Sequence, residues 1–231
     1  MKDPILWLSE VESHDELRNK IRDAIWRDKY PFSVPNAYES FGAFMVDVLT
    51  GAPQSLKARL RQVMPVLVLE WQPSAGFDIL HNLLVIISRL PCPAAAPNIV
   101  WVINHWLDKN NPEHERYVWR CLSALVALVP VQNYLSLFRE LIDKPGFAPV
   151  CLRGMFLIPG DSYKREAGKF LEAVVKKLQD TEKEEFLREV CEIEFGHMSN
   201  EDKKLVLEGY KSLSEVMPEW LDNFFTGGTL K

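Results

Sequence analysis

Three apolar stretches of this 231-residue chain end at a proline in the same way. They are LLVIISRLP ending at Pro91, CLSALVALVP ending at Pro130, and CLRGMFLIP ending at Pro159, and the last two resemble each other with one residue deleted. Proline lacks an amide hydrogen and disfavours helical geometry in the residue before it, so it stops a helix. Each stretch therefore predicts a buried helix that ends near its proline.

The segments that follow these prolines also resemble one another. They end in WLDK, LIDK and LQD, so that Asp108, Asp143 and Asp180 are separated by 35 and then 37 residues. This spacing is the length of a helical hairpin. Because a single pair of helices cannot bury its apolar face alone, such hairpins are stable when neighbours stack and share a core. The spacing predicts stacked antiparallel hairpins.

Apolar periodicity supports helices elsewhere and gives no support to a sheet. From Asp161 onward, the apolar residues recur at the offsets of one helical face: Ala167, Phe170, Leu171, Val174, Val175 and Leu178. The run VLVLEW from Val66 is short enough to be a buried helix beyond Pro65. No Asn-Gly or Asp-Gly turn joins alternating runs, so we expect no sheet.

Helix starts are marked by capping residues. Ser13 with Glu16, and Thr181 with Glu184, have the spacing of capping boxes ahead of apolar runs. Asn111 followed by Pro112 offers a cap and then a proline in the first turn, where its missing amide hydrogen costs nothing. We expect a helix from about 112 to 129.

The repeated pattern resembles HEAT-like and armadillo-like helical repeats, over about 75–195, without identifying a specific family. The resemblance implies an all-α fold of stacked antiparallel helical hairpins, an α-α superhelix of about 10–12 helices. We expect a single domain over 1–231 with a flexible tail at 226–231. An irregular helical bundle is the alternative.

Composition and charge limit the partners. The chain is 47% hydrophobic and carries a net charge of −5, so it can bury a core but lacks the positive surplus that drives non-specific nucleic-acid binding. Residues 161–231 hold 16 acids against 11 bases, a difference of −5, and residues 1–160 balance to zero. We therefore expect a protein partner and regard nucleic acid as an unfavourable one.

Neither a metal, a cofactor nor a catalytic motif is predicted. Four cysteines, Cys92, Cys121, Cys151 and Cys191, stand far apart in apolar contexts and are expected to be buried thiols. The segment GDSYKREAGK has the wrong glycine spacing for a phosphate loop. The amino terminus lacks a sustained apolar region and no stretch is apolar over a membrane span, so we expect a cytoplasmic protein without membrane contact.

The stretch IVWVINHWLDK, residues 99–109, is the candidate binding segment. On a helix, its core face would carry Ile99, Val102, Ile103 and Trp106, and an adjacent face would carry Trp101, Asn104, His105 and Asp108. In solenoids the second helix of each hairpin lines a concave binding surface. Arg139, Glu140 and Arg165 of neighbouring second helices would extend that surface. The alternative is structural packing, with the polar tips of Trp and His satisfied inside the fold.

Function is then expected to be protein binding without catalysis. The chain could be an adaptor, a scaffold, or an inhibitor such as the immunity proteins that bacteria keep against toxins, whose partner would be basic. The alternative is an alkylpurine DNA glycosylase built from HEAT-like repeats. That family uses tryptophans and an acidic residue around the lesion, and similar residue types here are Trp101, Trp106, Asp108, Trp119, Arg120 and Arg153. Acids nearly balance the bases in that part of the chain, which disfavours this alternative.

Overall fold

Every element that the computed structural model describes is helical. It describes residues 3–129, 131–144 and 146–156, with positions 158, 160, 162, 166, 167, 169, 170 and 173, and these contain no strand. Over these residues the fold is all-α, as predicted. It divides into two compact units, Met1–Val129 and Pro130–Lys231. The single domain over 1–231 stays a prediction, and the tail at 226–231 lies outside the described residues.

The first unit contains seven of the α-helices in the described ranges. They are α1 (Pro4–Ser9), α2 (His14–Arg27), α3 (Phe41–Thr50), α4 (Gln54–Glu70), α5 (Phe77–Arg89), α6 (Ala96–His105) and α7 (Pro112–Leu128). Short 3₁₀ helices at Pro73–Ala75 and Pro93–Ala95 precede α5 and α6. In the second unit, the 3₁₀ helix Val131–Tyr134 leads into α8 (Leu135–Leu141), and α9 (Ala148–Phe156) follows.

Alternate helices of the first unit pack on one another. Helix α2 packs on α4 and α4 on α6, while α3 packs on α5 and α5 on α7. The two rows meet where α4 packs against α5 and α6 against α7. Their facing side chains form the apolar core, in which Trp71, Leu80 and Leu122 are completely enclosed. This alternation is compatible with a helical-repeat architecture.

The predicted helix starts at Ser13 and Asn111 are confirmed. The Glu16 amide donates to Ser13 Oγ at 3.1 Å, and the Ser13 amide donates to Glu16 Oε2 at 3.3 Å, which completes the capping box of α2. Asn111 Oδ1 accepts from the amide of Glu113 at 3.0 Å and caps α7, which begins at Pro112. The predicted capping box at Thr181 and Glu184 lies outside the described residues.

The helix predicted beyond Pro65 is confirmed as helix but begins earlier, because α4 runs through the proline. A proline inside a helix leaves the carbonyl four residues before it without its usual donor. Here the Cys92 thiol donates to that carbonyl, Arg61 O, at 3.2 Å, and Asn98 Nδ2 donates to Pro65 O at 2.8 Å. The Cys92 contact supplies a donor to the carbonyl that Pro65 leaves without one, and the Asn98 contact joins α6 to α4.

The helices predicted to end near prolines are found. Helix α5 ends two residues before Pro91, α7 ends at Leu128 ahead of Pro130, and α9 is helical to Phe156, ahead of Pro159. Of the helix predicted from Asp161, the described positions 162, 166, 167, 169, 170 and 173 are helical, and Ala167 is buried. Leu171, Val174, Val175 and Leu178 lie outside the described residues.

The cysteines of the described ranges are buried, as predicted. Cys92, Cys121 and Cys151 are free thiols inside the core, and Cys191 lies outside these ranges. Burial raises the pKa of the Cys121 thiol strongly, and it also raises the pKa of Cys92. In the same ranges no helix combines the length and the apolar character that crossing a bilayer requires.

Candidate functional site

Helix α6 presents one apolar face to the core and ends earlier than predicted. Ile99, Val102 and Ile103 are fully buried, as the spacing predicted. The helix was expected to continue to Lys109, but its last residue is His105, and the Trp106 amide makes the closing bond to Val102 O at 2.9 Å. Trp106 is therefore the cap of α6, and it is half-buried.

An aromatic cluster forms at this end of α6, and we call Trp101, His105 and Trp106 the Trp101 cluster. The rings of Trp101 and His105 stack with centroids 4.4 Å apart and planes 15° apart. The His105 Nδ1 hydrogen is donated to the Trp101 carbonyl at 2.9 Å. Trp106 meets Trp101 edge-on at 5.9 Å and 77°. The i, i+4 spacing on the helix places the first pair together. Two ring contacts, with His105 and Trp106, hold the Trp101 ring, and the hydrogen bond to the Trp101 carbonyl orients His105.

The Trp101 cluster lies at the boundary between the core and the surface. Trp101 and Trp106 are half-buried, whereas His105 and the neighbouring Asn104 are exposed. Trp106 Nε1 is enclosed and finds no hydrogen-bond acceptor among the described residues. The two tryptophans thus belong partly to the packing, and the outer edge of the cluster is accessible to a partner.

Asp108 organises the connection between α6 and α7. Its amide donates to His114 Nδ1 at 2.9 Å, its Oδ1 accepts from the Asn110 amide at 2.9 Å, and its carbonyl accepts from the Asn111 amide at 3.1 Å. Asp108 was predicted to share the α6 face with Trp101. That placement was wrong, because its amide binds His114 instead of continuing the helix. Its exposed carboxylate is held in the turn that follows Trp106.

The remaining candidate contact residues belong to the second unit. Arg139 and Glu140 lie exposed on α8, and Arg139 pairs with Glu166 at 2.5 Å. Arg165 lies outside the described residues. Within the first unit, Trp101, Asn104 and His105 lie on α6 towards its end, and Asp108 lies in the turn that follows.

Residues considered for the glycosylase alternative are distributed over both units. Trp119 and Arg120 are half-buried on α7, and Arg153 is half-buried on α9 in the second unit. Arg120 lies near His81 of α5, where burial and then the positive charge of Arg120 lower the pKa of His81. Arg120 therefore contributes to the electrostatics of the α5–α7 contact.

A basic cleft in the first unit was not predicted from the sequence. It has a volume of about 440 Å³ and lies among α3, α4 and the end of α5. Lys57 and Arg61 of α4 line it together with Arg89 of α5. The four-residue spacing of Lys57 and Arg61 was the available signal, because it places both on one helix face. Arg89 joins them only through tertiary packing.

Comparison with known proteins leaves the family of the chain undetermined: no family model, no curated protein and no solved structure matches it. In the described part of the chain, no three His, Cys, Asp or Glu side chains are grouped so that they could hold a metal ion. Function is therefore inferred from the side chains and their geometry.

Proposed function

We propose that this protein is a HEAT-like helical-repeat module that binds another protein and performs no chemistry of its own. The proposed contact surface is the Trp101 cluster with Asn104 and Asp108. The observation that carries the proposal is the stacked pair of Trp101 and His105, which is accessible at the ordered end of α6.

Aromatic side chains that are partly buried before binding are effective anchors for a protein partner. Tryptophan is enriched among the residues that contribute most to protein interfaces, because it covers a large area with few rotatable bonds. Here Trp101 is already held between His105 and Trp106. Since its orientation is fixed in the free protein, little conformational entropy is lost when a partner covers it.

The polar residues beside the cluster suit the edge of a protein interface. The amide of Asn104 can donate and accept hydrogen bonds, and the carboxylate of Asp108 can accept from a cation of the partner. Asp108 is preorganised by the turn that holds its backbone. Arg139, Glu140 and Arg165 stay candidate contact residues of the second unit by itself and are not part of the surface at the Trp101 cluster.

Charge supports a basic partner, as expected for an inhibitor of the immunity-protein type. The chain carries a net charge of −5, which equals the excess of acids in residues 161–231. Opposite net charges on two proteins accelerate their encounter and disfavour like-charged competitors. Asp108 adds a negative group in the turn that follows the helix of the aromatic anchor.

The alternating packing of the helices supports the HEAT-like part of the proposal. In HEAT and armadillo repeats, equivalent helices of successive hairpins stack on one another. Helices α2, α4 and α6 form one such row in the first unit, and α3, α5 and α7 form the other. Helix α6, which carries the Trp101 cluster, belongs to the row of α2 and α4 and packs against α7 of the other row.

The test compares the full chain with variants of the cluster in their binding to a partner. The partner is first isolated by affinity capture on the wild-type chain, and its dissociation constant is then measured by titration calorimetry. We expect Trp101→Ala and His105→Ala to weaken binding about tenfold or more, the scale of a central interface residue. Trp26→Ala and His14→Ala are the matched controls, because Trp26 is also half-buried and His14 also exposed.

The controls separate a contact surface from a general loss of stability. Circular dichroism must show that all four variants remain helical, and the controls must bind within about twofold of wild type. Equal weakening in all four variants would contradict the assignment of the Trp101 cluster. Steeply salt-dependent binding of alkylated DNA, with release of the damaged base, would instead assign the glycosylase function.

A further inference from the structure

The basic cleft among α3, α4 and α5 has the composition of a ligand site. Three cations line it, Lys57, Arg61 and Arg89, and no carboxylate does. Its volume of about 440 Å³ lies within the range of small-molecule pockets. Thr50, Gln54 and Arg89 are exposed at its edge, so a ligand can enter from solvent.

The cations of the cleft differ from the three arginines of α2. Arg18 and Arg22 pair with Glu70, and Arg27 pairs with Asp23. By contrast, none of the three cleft cations forms an ion pair with a carboxylate in the described ranges. Like charges brought together without a counter-charge repel one another, and an anion in the cleft would relieve that repulsion.

Among the described residues, the hydrogen-bond donors of the cleft have fewer acceptors than they can use. Arg61 Nε is enclosed without a hydrogen-bond partner among the described residues. Lys57 Nζ makes one bond, to Thr50 O at 3.3 Å, and an ammonium group can donate three. The donors thus exceed the acceptors that the described side chains and backbone supply.

The start of α4 adds to the positive character of the cleft. Its cap residue, Pro53, has no side-chain acceptor, and Gln54 of the first turn lines the cleft. The free amides at the start of a helix carry a partial positive charge and attract anions. Lys57 and Arg61 lie on the next turns of the same helix, so the two sources of positive potential are adjacent.

The other lining residues are apolar. Val46 and Leu49 of α3 and Leu90 after α5 form this part of the wall. A purely inorganic ion would leave these side chains and most of the volume unused. The combination of a cationic side and an apolar side fits an organic molecule that carries an anionic group at one end.

We propose that this cleft binds a small organic phosphate monoester, with the phosphoryl group between Lys57, Arg61 and Arg89 and the organic part against Val46, Leu49 and Leu90. A phosphate monoester carries between one and two negative charges at neutral pH and three strong acceptor oxygens. Three cations from two helices line the cleft and supply the opposite charge for such a group. Arginine forms paired hydrogen bonds with phosphate oxygens, and lysine adds a point charge.

Titration calorimetry with three related probes tests the chemical class. We expect phenyl phosphate to bind the full chain at one site with saturation, and to bind more tightly than benzoate and phenol at the same ionic strength. Absence of saturable phenyl phosphate binding at millimolar concentration overturns the proposal. Benzoate binding as tight as that of phenyl phosphate overturns the phosphate assignment.

Variants locate the binding in the cleft. Arg89→Gln and Lys57→Gln should each weaken phenyl phosphate binding about tenfold, the scale of one lost charge-assisted hydrogen-bond set. Arg27→Gln is the matched control, because Arg27 is also exposed in the last turn of its helix and should change affinity less than twofold. The affinity of Arg61→Gln is interpreted only after its melting temperature shows that this variant is folded, because Arg61 is half-buried.

Two further outcomes would assign the binding elsewhere. If Arg27→Gln weakens binding as much as Arg89→Gln, the effect is a general one of net charge. If a short single-stranded DNA displaces phenyl phosphate and binds more tightly, the cleft binds a nucleic-acid backbone and the small-molecule assignment is wrong. Both outcomes are distinct from the protein-binding test, which uses Trp101 and His105 variants on a different helix.

Discussion

The amide of Gly42 donates a 2.7 Å hydrogen bond to the side-chain oxygen Oδ1 of Asn82, which joins the first turn of α3 to α5. The first amides of a helix have no acceptor within the helix, and here a neighbouring helix supplies one. The approach is close enough to require glycine. A Cβ atom at position 42 would lie 2.8 Å from the backbone oxygen of Asn82 and 2.9 Å from its Cα.

Gly42→Ala is therefore expected to destabilise the protein. The clash is with backbone, so α3 and α5 must move apart, which costs about 1–3 kcal/mol for an overpacked site. Gly51→Ala is the control, because a Cβ there meets nothing closer than 4.0 Å and the backbone φ of −85° suits alanine. Urea unfolding should show a lower midpoint for Gly42→Ala alone, and equal midpoints would contradict the close packing.

The Gly42–Asn82 contact illustrates what the sequence could not predict. Local signals did predict local structure: the capping box at Ser13 and the start of α7 at Asn111 depend on residues within three positions of each other. The buried face of α6 also followed from its periodicity. Contacts between helices depend on how those helices are oriented, which spacing alone does not determine.

The candidate site was predictable to the same extent. The pairing of Trp101 with His105 follows from their i, i+4 spacing. The position of Asp108 does not, because α6 ends at His105 and the amide of Asp108 binds His114 on the next helix. The basic cleft needs Arg89 beside Lys57 and Arg61, and only the packing of α5 on α3 and α4 brings it there.

Ser13→Ala is expected to destabilise α2. The substitution removes the acceptor of the Glu16 amide, and loss of an N-cap costs about 1 kcal/mol. Ser55→Ala is the control, since Ser55 is exposed in the first turn of α4 but is not its cap. Thermal unfolding followed at 222 nm, the far-ultraviolet signal of helix, would detect the difference. A melting temperature unchanged by Ser13→Ala would show that the cap contributes nothing measurable.

Asn98→Ala is expected to weaken the contact between α4 and α6. Asn98 Nδ2 donates to the carbonyl of Pro65 at 2.8 Å, in the part of α4 that the proline disturbs. Removing one such hydrogen bond costs about 1 kcal/mol. Asn104→Ala on the same helix is the control, because that side chain is exposed. Equal free energies of unfolding for the two variants would mean that Asn98 does not support α4 through Pro65.

His81 makes the stability of the first unit depend on pH. It is half-buried on α5, and its Nδ1 is enclosed without a hydrogen-bond partner in the described ranges. Burial lowers the pKa of His81 below the ordinary 6.5, and so do the positive charges of Arg120 and Arg116 on α7. Asp78 and Glu39 act in the opposite direction but do not reverse the shift. The folded protein therefore favours the neutral imidazole.

The free energy of unfolding should fall as the pH is lowered from about 7 through the lowered pKa of His81. Below an unfolded pKa of about 6.5, the unfolded chain binds the proton before the folded one does, so acid favours unfolding. His81→Gln should reduce the part of this loss that lies between pH 7 and the folded pKa. His14→Gln, at an exposed histidine, is the control. Urea unfolding at half-unit pH intervals measures both slopes, and identical slopes in the two variants would contradict the role of His81.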